Sequence, residues 1–184
     1  MKTGRIFWAA LAGFAMTLPA SMASAQLNST ALPIALNAKL NESLTVTLSA
    51  NAVNFNLSAG SAANAGSANI TATTAWTLAP GRTAVGVYAY FASAATALTD
   101  GTNSIPSSAF FIADNAGPST ALTSTVAFGG ANAGLQLANV AISGANRSSS
   151  RTDVMAFNIN LSTLPQLPAS TYLGTLNIQA QTTP

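Results

Sequence analysis

The chain has 184 residues, of which only 5% are charged, and it contains neither Cys nor His. Their absence removes the commonest general base, the thiol nucleophile, disulfides and most zinc or iron ligation. Both excess charges of the net +2 fall in the first residues; beyond residue 25, Lys39, Arg82, Arg147 and Arg151 balance Glu42, Asp100, Asp114 and Asp153, leaving no basic footprint for nucleic acid.

Lys2 and Arg5 precede an apolar run from Ile6 to Leu18, Pro19 breaks it, and Ala23-Ser24-Ala25 stands before Gln26. This is the form of a secretory signal peptide, so residues 1–25 are expected to be removed on export to the cell surface or medium, through the periplasm. The run is shorter than the roughly 20 residues a bilayer span needs. No later segment is apolar enough to cross, so no membrane span is expected in the mature chain. Residues 26–40 form an N-terminal extension in which Ile34, Leu36, Ala38 and Leu40 alternate with other residues. Two roles stay open for it: an edge strand of its own domain, or a donor strand that completes a neighbouring subunit by strand addition.

From residue 41 to 184 the dominant period is two, not 3.6. Leu44–Leu48 alternates, and Val53–Leu57 does so again, giving a hairpin or one bulged strand. Residues 60–66 read as a loop. Ile70–Leu78 puts Ile70, Ala72, Thr74, Trp76 and Leu78 on one face, and Pro80-Gly81 ends it. Val85–Phe91 is apolar on both faces, as a central strand would be. Asp100-Gly101 signals a turn. Strands are expected at 109–113, 122–128, 135–142, 154–161 and 172–181, with a flexible loop at 129–134, a polar turn at 143–150 and a connection around Pro165 and Pro168. Eight or nine strands at this spacing predict one all-β domain, an Ig-like antiparallel β-sandwich. Trp76, Phe55, Phe157, Leu176 and Ile178 are the expected shared core.

No constellation for catalysis emerges, and neither a cofactor nor a metal is expected. The carboxylates read as solvated loop acids, with Asp114 before a Gly-Pro loop and Asp153 beside Arg151. Asp100-Gly101-Thr102-Asn103 lacks the further acids of a calcium loop and reads as a hairpin turn. Trp76 lies on the apolar face of its strand. Tyr88 and Tyr90 share the opposite kind of face and form the one candidate ligand patch.

The run Leu167-Pro168-Ala169-Ser170-Thr171-Tyr172-Leu173-Gly174-Thr175-Leu176-Asn177-Ile178 resembles the closing strand of bacterial surface sandwiches. The spore coat U-type pilins of archaic chaperone–usher systems are similar here, and are likewise small, exported, neutral and Thr/Ala-rich. The chain lacks that family's cysteines and its terminal aromatic strand, and no site residue carries over. The resemblance implies a structural or adhesive subunit of a cell-surface appendage or layer. Its partners would be copies of itself, other subunits and a periplasmic chaperone. The alternative is a secreted binding module for glycan or another surface ligand, built on Tyr88 and Tyr90.

Overall fold

The computed structural model describes residues 27–184, so the expected signal peptide at 1–25 lies outside the described residues. Residues 39–184 form one compact unit, all-β apart from a single 3-10 turn at Ser107–Ala109. The larger sheet contains β1 (Ser43–Leu48), β2 (Asn64–Ala65), β3 (Ile70–Thr77), β7 (Phe110–Asp114), β8 (Ser119–Ala121) and β10 (Ser148–Ile159), in the order β1-β3-β10-β7-β8 with β2 also on β10. The second sheet is β11-β4-β9, built from β11 (Asn177–Thr183), β4 (Ala84–Tyr90) and β9 (Gly134–Ala141). The short pair β5 (Leu98–Thr99) and β6 (Ser104–Ile105) flanks the Asp100 turn. Every ladder is antiparallel, and the whole is sandwich-like. Among the described residues eleven strands replace the expected eight or nine, because β2, β5 and β6 have only two residues each.

Alternation explains the burial. Along β3, Ile70, Ala72, Thr74 and Trp76 point inward and Thr71, Thr73, Ala75 and Thr77 outward, as a pleated strand requires. β4 is the central strand of its sheet, as its two apolar faces predicted. Val85, Val87 and Ala89 are completely buried on one side, and Tyr88 and Tyr90 are half-buried on the other.

β9 shows how an apparently inconsistent pattern is resolved. Leu135 and Val140 are an odd number of residues apart, so an ideal strand would send them to opposite faces. The ladder with β4 slips: Val87 pairs Ala138 whereas Tyr88 pairs Gln136, which leaves Leu137 as an extra residue. This bulge re-aims the strand. Leu135 and Leu137 pack against one hydrophobic cluster and Val140 against the other.

Two hydrophobic clusters form where the sequence suggested one. The larger contains Ile70, Phe91, Ile105, Phe110, Ile112, Leu122, Met155, Phe157 and Ile159, with Phe55, Leu176 and Ile178 packed at its margin. Phe110 is its aromatic hub, with ring centroids 5.2 Å from Phe91, 5.8 Å from Phe55 and 5.9 Å from Phe157. Trp76 belongs to the smaller cluster, with Leu78 and Val85 beneath Leu44, Val140 and Ile142. The shared core expected for Trp76 and Phe157 is therefore corrected to two. Polar Thr74, Arg151 and Asp153 occupy the inward face between them along β3 and β10.

Further expectations change: Ser148–Ser150, expected in a turn, open β10, and Asn64–Ala65, expected in a loop, form β2. Residues 53–57 form no strand beyond a bridge from Phe55 to Gly66, although Val53, Phe55 and Leu57 still turn inward. Residues 122–128 also form no strand: pairing stops at Ala121 of β8, and only Ser124 bridges to Gly134. The last strand starts at Asn177, five residues later than its alternation suggests, because Leu173 is instead held to Thr99 of β5.

Candidate functional site

The extension is defined by what it leaves uncovered. Residues 27–42 contain no strand, so the edge strand allowed for Ile34, Leu36, Ala38 and Leu40 is not formed within the chain. Leu32, Ile34, Leu36 and Leu40 are 86%, 82%, 89% and 85% exposed, and Ala38 is exposed too. Exposing so many large aliphatic side chains in one short stretch is unusual, since such groups favour burial by about 1.5–3 kcal/mol each. At the end of this segment Glu42 is fastened. Its Oε1 accepts the Ala79 N–H at 2.8 Å and the Arg82 Nε–H at 3.1 Å, and its Oε2 accepts from Arg82 Nη2 at 3.1 Å. The guanidinium bond, then the Ala79 N–H, holds the Glu42 carboxyl below its usual range.

The aromatic patch lies on the outer face of the second sheet. Tyr90 and Tyr88 are i and i+2 neighbours on β4, so they point the same way. Phe128, from the connection before β9, lies against both, with ring centroids 5.8 Å from Tyr90 and 5.9 Å from Tyr88. On either side stand amides. Gln179 of β11 and Gln136 of β9 both pair with Tyr88, and Asn177 pairs with Tyr90. The Tyr90 hydroxyl donates to Gln179 Oε1 at 2.7 Å. Phe128, Gln136, Asn177 and Gln179 were not singled out in the sequence, because only the register of three strands brings them together. The patch is a face and not a cavity.

Trp76 is a core residue. It is 4% exposed, and its indole N–H donates to the Asn146 carbonyl at 2.8 Å.

The carboxylates divide. Asp100 is the turn residue it was expected to be: its Oδ1 accepts the N–H groups of Asn103 at 2.6 Å and Thr102 at 2.9 Å. Those two bonds, Asn103 first, bring its pKa to about 2. The reading of Asp153 as a solvated loop acid is overturned. It is completely buried, on β10, in an ion pair with Arg151. Asp114 is also no loop acid, being the last residue of β7 and half-buried. Among the described residues no group of three or more acids, His or Cys is arranged to hold a metal ion. No helix there is long and apolar enough to cross a membrane.

Compared with protein-family models, curated proteins and solved structures, the chain matches none.

Proposed function

We propose that this chain is a non-catalytic structural subunit of an exported bacterial cell-surface assembly, and that residues 32–40 pair with a sheet edge of a neighbouring copy. The observation that carries the reading is the row of exposed, alternating Leu32, Ile34, Leu36 and Leu40 outside any strand. Such a row is an aggregation hazard unless something covers it. A sheet edge would supply ladder hydrogen bonds, and a groove beside it would take every second side chain. The sandwich has such edges at β1 and β8 of one sheet and at β11 and β9 of the other. Near-zero charge beyond residue 25 also offers little repulsion between copies. A periplasmic chaperone would cover the same segment or edge before assembly.

The test compares residues 26–184 with residues 41–184 by light scattering and by gel ladders after mild extraction. The longer protein should form polymers and the shorter one should stay a folded monomer. A longer protein that stays monomeric at high concentration would remove the assembly reading.

A second reading is favoured by one observation, the row of amides beside the tyrosines. Tyr88, Tyr90 and Phe128 offer ring surface, while Gln136 and Gln179 offer donors and acceptors suited to sugar hydroxyls. Neutral oligosaccharide binding by a monomer, lost in Tyr88→Ala and in Gln136→Ala, would support it.

A further inference from the structure

Four polar side chains meet at the margin of the larger sheet, where β7 ends against β10. Asp114 closes β7 opposite Met155, and Asp153 lies two residues before that partner. Asn115 follows with a positive φ of 49° and extends the ladder by one step. Its backbone N–H donates to the Val154 carbonyl at 2.8 Å, and its Oδ1 accepts the Val154 N–H at 3.0 Å. Its Nδ2 donates to Asp114 Oδ2 at 3.1 Å and to Asp153 Oδ1 at 3.2 Å. From the other side Arg151 Nε donates to Asp153 Oδ1 at 2.7 Å, with Nη2 at 2.6 Å from the same oxygen and 3.7 Å from Asp114 Oδ2.

All these donors end on one oxygen of each carboxylate. The other two, Asp114 Oδ1 and Asp153 Oδ2, are buried with no hydrogen-bond partner. A buried acceptor left unpaired is costly, and more so when it carries charge. The charge also fails to balance, with two carboxylates against one guanidinium. No other element corrects it. β3 presents only Ala72 and Thr74 on this face, the neighbouring inward residues Ile112 and Met155 are apolar, and β4, β9 and β11 contain no Asp, Glu, Lys or Arg. A proton on one of the two carboxyl groups would remove the charge imbalance and turn one buried acceptor into a donor, as happens when two carboxylates crowd one site.

We propose that Asp114 is protonated in the folded protein, so that with Asp153, Arg151 and Asn115 it forms a neutral acid clasp joining β7 to β10, which weakens when the proton leaves. The inference does not depend on the assembly reading. Both short Arg151 bonds, at 2.7 and 2.6 Å, end on Asp153, whereas Asp114 Oδ2 is 3.7 Å from Nη2, so the proton resides on Asp114. Burial, and then the charge of Asp153, push the Asp114 carboxyl above its ordinary range, against the pull of Arg151. The linkage sign follows. A carboxyl whose folded pKa is raised contributes stability that is complete below the unfolded value, near 3.8, and is lost as pH rises through the folded value.

The experiment follows the urea midpoint of residues 26–184 from acid to alkaline pH, for the parent and for Asp114→Asn, whose amide imitates the protonated acid. The parent midpoint should fall as pH rises above the ordinary carboxylate range. In Asp114→Asn that fall should vanish, with the midpoint at neutral pH equal to or above the parent. Asp153→Asn strands Arg151 and should lower the midpoint at every pH. Infrared spectra of the parent at neutral pH should show a protonated carboxyl band, a readout that survives even if a variant fails to fold. Absence of that band overturns the proposal, as does an Asp114→Asn midpoint lowered equally at all pH. A parent midpoint raised by calcium, but not in Asp114→Asn, also overturns it, since the two oxygens would then hold a metal ion instead of a proton.

Discussion

Trp76 is the only tryptophan beyond residue 25, and its indole joins two demands: burial against Leu78 and Val85, and an N–H bonded to Asn146. Trp76→Ala should therefore cost about 3–5 kcal/mol, through the cavity and the lost packing, read as a lower denaturation midpoint. Asp100 gives a contrasting, pH-dependent prediction. Its folded pKa, about 2, lies below the ordinary 3.8. Its contribution is therefore present above 3.8 and fades as pH falls toward 2. The midpoint difference between the parent and Asp100→Ala should shrink over that window, opposite in sense to the behaviour inferred for Asp114. The turn at Asp100 was legible in the sequence because both N–H groups it binds lie within three residues. The Asp114–Asp153 meeting was not, because those residues are brought together only by the β7–β10 register.

Alternation reports which residues can share a face, but not whether a partner backbone is present to complete a ladder. Ile70–Thr77 found partners on both sides in β1 and β10 and became the strand its pattern announced. Val53–Leu57 has the same pattern and points the same residues inward, yet only Phe55 is bridged. The bulge in β9 was hidden for the same reason: it is a property of the β4–β9 pair. Deleting Leu137 would leave Leu135 and Val140 an even four residues apart, on one face of a regular strand, so the inward pair survives and only the contact of Leu137 with the larger cluster is lost. Such a deletion should lower the midpoint about as much as Leu137→Ala, since both remove that side chain and the pairing with β4 on either side is kept. The approach to β11 offers a second test. A Cβ on Gly174 would strike the backbone carbonyl of Ala97, beside the Thr99–Leu173 bridge. Gly174→Ala should cost about 1–3 kcal/mol and loosen Tyr172–Leu176, detectable as faster amide exchange there.

Over the whole molecule, the decisive pairings are remote in sequence. β11 closes on β4 with Thr183 opposite Ala84, and β10 meets β3 with Ser148 opposite Thr77. The all-β class was evident from the periods alone, whereas sheet order and the divided core were not, since no local pattern encodes which strands become neighbours. Loop closure must precede these contacts, so refolding should fall in the roughly millisecond-to-second range of non-local β proteins, measured by stopped-flow fluorescence of Trp76. Removing residues 177–184 would strip one side of β4. The near-ultraviolet signal of Trp76 should then be lost, even though Trp76 lies on the other sheet, because Val85 and Val140 would no longer be held over it.

The fastening of Glu42 has a mechanical consequence. If neighbouring copies hold one another by residues 32–40, tension along the assembly enters each sandwich at the residue just before β1. There the carboxylate grips Arg82 and the Ala79 N–H, both in the turn joining β3 of one sheet to β4 of the other. Load reaching that point is shared between the two sheets before it reaches the exposed β1 edge. Without the grip it would fall first on the Ser43–Thr77 end of the ladder, where strands unzip one pair at a time. Arg82→Ala should therefore change equilibrium stability little, since the pair is exposed, while lowering the force at which β1 peels away in single-molecule pulling from the N-terminal end.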